Sequence, residues 1–459
     1  MISIFIPNNN IAERKYILDL FFDEFLNLDY EIIIKQDIDS WEINLQNGKK
    51  IVFKDHFFNN FKNDLEYLSL ENIPKKVNFT KNKFTPQEDM PIIYGVDKFD
   101  ILADKIICDI DIFASSFFML SRWEEYVNKN RDNHDRFMAK DTLGYKFNFI
   151  DRPIVNEYIQ FLKNIILNLD DSLNFKIFNF KTLVTCDVDE PFDPSVRSLY
   201  WLCRTCIADI LKRKSISKFL NTIKLYVSNK FGNFIHDKNY TFQWYIDTCK
   251  RANLNPIFYF IPDSSEKNNG FYSLDDKKIQ QLMVMLAKNN CEIGVHGSYN
   301  TYKDGKKLLI QKKKLEEVLK TLNINQNVIG NRQHYLRWDS VITPKLLDDA
   351  GFTYDTTGGY ADAPGFRYGI CYEFSMFDFL NRKKLNLKEM PLIVMECSVF
   401  DDESYMMLDE QSSIKLINNL KNKCCIYDGN FVLLFHNSNL KSIKNKNIFK
   451  KIINETKAM

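Results

Sequence analysis

From about residue 175 to residue 440 the chain keeps returning to one pattern. A short apolar run of strand length is followed by a polar break and, in several cases, by an amphipathic helix before the next run. Residues 182–186, 256–261, 291–295, 328–330, 392–395 and 431–435 are such runs. Between them, Ser273 and Asp276 form a capping-box signature ahead of Ile279, Leu282, Met283 and Leu286, and Thr343-Pro344 with Gly351 brackets a further helix. Alternation of this kind builds a parallel sheet or barrel, whose chemistry collects at the carboxyl ends of the strands.

The preceding third reads differently. Residues 2–6 form a buried strand, 12–26 a helix, and 30–34, 41–45 and 51–53 further strands. Residues 112–126 form a largely buried helix, and Ile154, Tyr158, Leu162 and Ile166 repeat at helical spacing after Pro153. A chain of 459 residues exceeds what one core usually organises. We therefore expect a smaller α/β domain of unknown role over 1–172 and a distorted (β/α) barrel over 173–459. The near-balance of charge, +2 at neutral pH, gives no global field for nucleic acid.

The strand ends carry the candidate chemistry. The first run leads into Asp187-Val188-Asp189-Glu190-Pro191, whose carboxylates repel one another unless a cation or proton sits among them. Capping of the following turn is an equally weighted reading of that motif alone. The third run leads into His296-Gly297-Ser298-Tyr299-Asn300 and the last into His436-Asn437-Ser438-Asn439, while Arg332-Gln333-His334-Tyr335 follows another. The chain has only six histidines, and chance explains poorly why three of them follow strands. Oxygen and imidazole donors together suit Zn²⁺ or a similar divalent ion that keeps a position open for water.

These motifs, Thr185-Cys186-Asp187-Val188-Asp189, His296-Gly297-Ser298-Tyr299-Asn300, Arg332-Gln333-His334-Tyr335 and Leu434-Phe435-His436, resemble in order those of the polysaccharide deacetylase superfamily, the NodB-homology domain. The resemblance covers roughly residues 176–440. The stretch from Asp111 to Tyr126, ending in Ser121-Arg122-Trp123-Glu124-Glu125-Tyr126, and His436-Asn437-Ser438-Asn439-Leu440 resemble a branch found with surface-polysaccharide genes, in which an extra N-terminal domain precedes the deacetylase domain. The resemblance implies Asp187 as base, Asp189, His296 and Asn300 as metal ligands, Arg332 as the residue orienting the base, Tyr335 as the backbone N–H donor to the oxyanion, and His436 as general acid. The implied cofactor is a divalent metal, with Zn²⁺ preferred. The implied substrate is an N-acetylated amino sugar of a surface polysaccharide or its precursor.

Two departures from the family pattern matter. Asn300 stands where a second histidine is usual, and an amide oxygen is a weaker, neutral ligand; His334, at a place usually given to proline, is an alternative contributor. The acidic partner of the general acid is open between Asp355 and Asp362. Opening of a cyclic amide on the same fold, and a catalytically silent glycan-binding or scaffold protein, are the rival functions. Retention of Asp187, Asp189, Arg332 and His436 argues against the silent one.

Residues 194–232 interrupt the pattern as an insertion with eight Lys and Arg against Asp209 alone, a net charge of +7. Ile216, Phe219, Leu220, Ile223 and Val227 repeat there at helical spacing. A solvated helix packed on the barrel is the favoured reading, ahead of binding to an anionic membrane surface or a lipid-linked glycan. The apolar stretch at residues 2–6 lacks the features of a signal peptide, and ten scattered cysteines suit a reducing compartment, so a cytoplasmic protein, peripheral at the inner membrane face if the insertion binds there, is expected.

Overall fold

The computed structural model describes residues 1–86, 89–266 and 268–454; residues 455–459, the end of the expected barrel region, lie outside them. The protein is mixed α/β and divides into two compact units. Among the described residues, one comprises stretches within 1–181, 336–393 and 420–431, the other stretches within 182–335, 394–419 and 432–454.

In the first unit a six-stranded mixed sheet runs in the order Tyr30–Lys35, Ile2–Pro7, Ser40–Asn44, Lys50–Lys54, Lys105–Ile110, Gly95–Ile101. Its outermost pair at the Tyr30 end is parallel, with Ile4 opposite Ile32, and the pairing around Ser40–Asn44 is antiparallel. Every side chain of the helix Ile112–Ser121 is buried. The single helix expected over 112–126 is instead broken at Arg122, whose φ of 54° is left-handed, and resumes over Trp123–Val127. The break turns Arg122 inward. Its Nε donates to Glu125 Oε1 at 2.8 Å, and Arg367 donates to both oxygens of the same carboxylate at 2.9 and 2.6 Å.

The second unit contains the strands β1 (Lys181–Val188), β2 (Ile257–Phe260), β3 (Glu292–Gly297), β4 (Gly330–Gln333), β5 (Val394–Met395) and β6 (Asn430–Leu434). Their order is β4-β3-β2-β1-β6-β5, and β1–β2, β2–β3, β3–β4 and β5–β6 pair in parallel. The expected barrel is thus an open half-barrel. Buried strands such as β2, with Ile257, Phe258, Tyr259 and Phe260 all inside, read as continuous apolar runs because parallel sheets are covered on both faces. Helices α1 (Leu199–Leu211), α2 (Ile216–Lys230), α3 (Phe242–Arg251), α4 (Lys277–Lys288), α5 (Gly305–Thr321) and α6 (Ile443–Asn454) also belong to the unit, as does the first part of the helix Glu410–Ile426. Stripes such as Ile279, Leu282, Met283 and Leu286 of α4 are buried.

Strand β4 departs from the expected register. The apolar run at 328–330 only leads into it, and the strand itself is Gly330, Asn331, Arg332 and Gln333, all buried. Its polar side chains find polar partners: Arg332 Nη2 donates to Thr185 Oγ1 at 3.1 Å, and Thr301 Oγ1 donates to Gln333 Oε1 at 2.8 Å. Arg332 therefore sits inside the sheet. Gly294 of β3 is needed for the neighbouring packing, since a Cβ there would lie 2.6 Å from the Tyr259 ring and 2.9 Å from the Gly330 carbonyl oxygen.

Candidate metal centre

Neighbouring strands deliver their chemistry to one end of the sheet. Asp187 is near the end of β1 and Asp189 just beyond it; His296 is the penultimate residue of β3; Arg332 lies in β4 with His334 directly after it; His436 follows β6. Register makes this a necessity of the fold, because His296 is paired with Arg332 across the β3–β4 ladder.

Asp189, His296 and His334 offer one ligand atom each within 4.8 Å of one another. Asp189 Oδ1 lies 3.3 Å from His296 Nε2 and 3.5 Å from His334 Nε2. Asp189 Oδ1 and His296 Nε2 are buried and neither makes a hydrogen bond. Unpartnered buried acceptor atoms facing one point are costly unless something else satisfies them. One carboxylate and two imidazoles are a donor set that suits Zn²⁺ or a similar divalent ion, so the residues present fit such a group. His296 Nδ1 lies 2.9 Å from the Arg332 carbonyl oxygen, and since a carbonyl can only accept, that nitrogen carries the proton and Nε2 offers its lone pair to the centre.

The electrostatics differ from one member of the cluster to the next. Burial alone would raise the Asp189 carboxyl, but His334 and His296 hold it well below the usual carboxylate range. Burial pulls His334 down below the ordinary imidazole value, so it is neutral and available as a ligand. Burial also pulls on His296, but Asp187 and Asp189 outweigh it and raise this ring. Asp187 stands at the edge of the centre, its Oδ2 3.6 Å from His296 Nε2 and 4.0 Å from Arg332 Nη1.

From the end of β6, the strand that follows β1 in the sheet, His436 Nε2 approaches the other Asp189 oxygen, Oδ2, at 3.6 Å. Its other nitrogen, Nδ1, lies 2.6 Å from Glu396 Oε1, which also accepts the His436 backbone N–H at 2.7 Å and Asn439 Nδ2 at 2.9 Å. Burial opposes a charge on His436, but Glu396 outweighs it, with Cys397 adding, and the imidazole titrates well above its usual value. Glu396, Cys397 and His436 form a second close group of donor atoms. Glu396 Oε1 already accepts several N–H groups there, so its role is to orient.

Asp187, Asp189, His296, Arg332, His334 and His436 are thus brought together. Tyr335 follows directly, at a left-handed φ of 63°, with its ring against those of His334 and Tyr299. Asn300 points elsewhere: its Nδ2 donates to Glu266 Oε2 at 3.0 Å, and His334 is the third residue of the cluster. The carboxylate on His436 is neither Asp355 nor Asp362. Asp355 accepts from the Thr357 N–H at 2.7 Å and Asp362 from the Ala139 N–H at 2.8 Å, both within the first unit. Glu396, missed from the sequence, takes that place because the two-residue strand β5 ends directly before it and pairs with β6, which ends before His436.

A family model described as a family of unknown function (DUF7033) matches residues 2–171. No curated protein matches the chain. Among solved structures, the chain is similar to a "putative polysaccharide deacetylase" from Mycobacterium smegmatis at 18% identity, covering 61% of this chain and 84% of that one with a TM-score of 0.38. A "probable Polysaccharide deacetylase" from Pseudomonas aeruginosa PAO1 gives 13% identity, 59% and 83% coverage and a TM-score of 0.35. Puue allantoinase gives 10% identity, 50% and 69% coverage and a TM-score of 0.33.

Proposed function

We propose that this protein is a metal-dependent hydrolase that removes the N-acetyl group from an amino sugar of a surface polysaccharide or its precursor. The observation that carries the reading is the placement of a base, Asp187, and a proton donor, His436, each 3.6 Å from a different member of the Asp189, His296 and His334 cluster. A divalent ion held by that cluster would supply Lewis acidity toward a water molecule and the acetamide carbonyl.

The chain's own residues account for the rest. Asp187, next to Arg332, accepts a proton from the attacking water as its oxygen bonds to the carbonyl carbon. The Tyr335 backbone N–H is assigned to the oxyanion that forms. His436, kept cationic by Glu396, gives its proton to the nitrogen as the carbon–nitrogen bond breaks. One water is consumed, and the products are acetate and a free amino sugar.

Acetate release from N-acetylated sugar nucleotides and from lipid-linked N-acetylated saccharides, measured with and without added Zn²⁺, tests this reading. Metal-dependent release from one class supports it. Absence of release from both classes by metal-loaded protein would overturn it.

A further inference from the structure

The helical hairpin α1–α2 is built the wrong way round for a helix pair that packs only on its own protein. Its fully buried side chains are polar: Asp209 on α1 and Asn229 on α2. Asp209 accepts from Arg213 at 2.5 Å and from Thr222 Oγ1 at 2.7 Å, which ties the two helices together, and Asn229 Nδ2 donates to Asp237 at 2.6 Å. The apolar side chains face out. On α2 and the residue after it, Ile216, Leu220, Ile223, Val227 and Phe231 are 74%, 58%, 37%, 45% and 82% exposed. At about 100° per residue these five fall in one narrow stripe along the helix. Leu199, Ile207, Ile210 and Leu211 of α1 are exposed as well.

Basic residues frame this apolar surface. Lys212, Arg213 and Lys214 occupy the turn between the helices, and Lys224 and Lys230 flank the α2 stripe by helical phase, with a net charge of +7 over 194–232. An exposed apolar face of this kind marks an interaction site. The rim of cations selects the partner. A second copy of the same face would set one basic rim against another, and a polyanion such as nucleic acid would satisfy the charges but leave the Ile, Leu, Val and Phe side chains in water. An anionic bilayer satisfies both, taking apolar side chains below its headgroups and lysines among them.

We propose that the α1–α2 hairpin is a peripheral membrane-docking element that inserts the Ile216, Leu220, Ile223, Val227 and Phe231 stripe into an anionic lipid surface. No helix among the described residues is long and apolar enough to cross a membrane, so docking on one leaflet is the mode available to this hairpin. The inference stands apart from the hydrolase reading, because none of its residues belongs to the metal cluster.

Cosedimentation of the full chain with vesicles tests it, comparing phosphatidylcholine alone with equal parts phosphatidylcholine and phosphatidylglycerol, at low and high salt. Two variants separate the contributions: Lys212→Gln, Lys214→Gln, Lys218→Gln and Lys224→Gln together, which leaves the Arg213–Asp209 pair intact, and Leu220→Ser, Ile223→Ser and Val227→Ser together. All of these side chains are solvent-exposed, and unchanged melting temperatures verify the fold. Wild type should bind only the anionic vesicles and release with salt, and each variant should bind at least about tenfold more weakly. No binding by wild type, or equal binding by the glutamine variant, would overturn the proposal. Full binding by the serine variant would do so too, by reducing the hairpin to a polyanion patch. A dimer in solution that protects the stripe would assign the face to a second copy instead.

Discussion

Glu396 Oε1 receives both the ring Nδ1 and the backbone N–H of His436, at 2.6 and 2.7 Å, so one carboxylate fixes the position of the imidazole and its charge together. Glu396→Gln keeps an oxygen for these contacts but removes the negative charge that raises the imidazole. The sign follows: His436 should lose its proton at lower pH than in wild type. The alkaline limb of the kcat profile should move down, and turnover at or above neutral pH should fall by roughly tenfold or more. A profile with an unmoved alkaline limb would show that the carboxylate matters only for structure.

The ligand assignment predicts a clean split in metal content. His334→Ala and Asp189→Ala should weaken Zn²⁺ binding by more than about a hundredfold, beyond what losing an outer-shell partner costs. Asn300→Ala should keep its metal, because that side chain is bonded to Glu266. Equilibrium dialysis followed by elemental analysis measures both, and a metal-free Asn300→Ala protein would restore the amide as a ligand.

Asp187→Asn and His436→Ala are expected to do the opposite, retaining metal while losing about 10²- to 10⁴-fold in kcat, the usual worth of a general base or acid. Loss of bound metal from either would mean that a ligand had been mistaken for a proton-transfer group.

The sequence made the centre legible wherever a strand advertised itself by hydropathy. Asp187, Asp189, His296 and His436 sit in or directly after such runs, and the rule that chemistry follows parallel strands located them. The same rule, applied to the run at 392–395, would have reached Glu396; the strand there is two residues long and leads into a π-helical turn, Cys397–Asp401, so it carried little signal. Strand β4 was displaced because Asn331, Arg332 and Gln333 are polar and buried, and hydropathy cannot mark a strand whose side chains are satisfied by partners distant in sequence. The left-handed Arg122 was invisible for a similar reason: its conformation is held by Glu125, Glu124 and Tyr360, not by a local turn preference. Helical periodicity marks α2 in the sequence, but period alone cannot say whether a stripe faces a core or the solvent, and this one faces the solvent.

Gly294 offers a test of how tightly the sheet sets the centre. Gly294→Ala would press a methyl group on the Tyr259 ring and the Gly330 carbonyl, moving β4 relative to β3. Arg332 and the carbonyl that holds His296 Nδ1 lie on that strand. Overpacking of this kind costs about 1–3 kcal/mol, so urea unfolding should register it, and the displacement should also weaken metal binding. A destabilised variant with unchanged metal affinity would show that β4 can shift without disturbing the centre.

The buried charges of the first unit predict an acid-sensitive stability. Burial alone would raise the Glu125 carboxyl, but Arg367 and Arg122 lower it from 4.5 to about 2. A carboxylate depressed on folding stabilises the native state above its unfolded value, and that contribution is lost as pH falls from about 4.5 toward about 2. Glu124 beside it runs the other way: burial raises it to about 7, so its contribution weakens as pH rises from about 4.5 to about 7. Glu125→Ala removes the acceptor shared by two buried guanidinium groups and should cost about 3–5 kcal/mol at neutral pH, since an uncompensated buried charge is left behind. Urea melts of wild type and variant across the acid range measure the difference, which should narrow as pH falls below about 4.5, where wild type begins to lose the same carboxylate. A variant as stable as wild type at neutral pH would mean that Arg122 and Arg367 find other acceptors without cost.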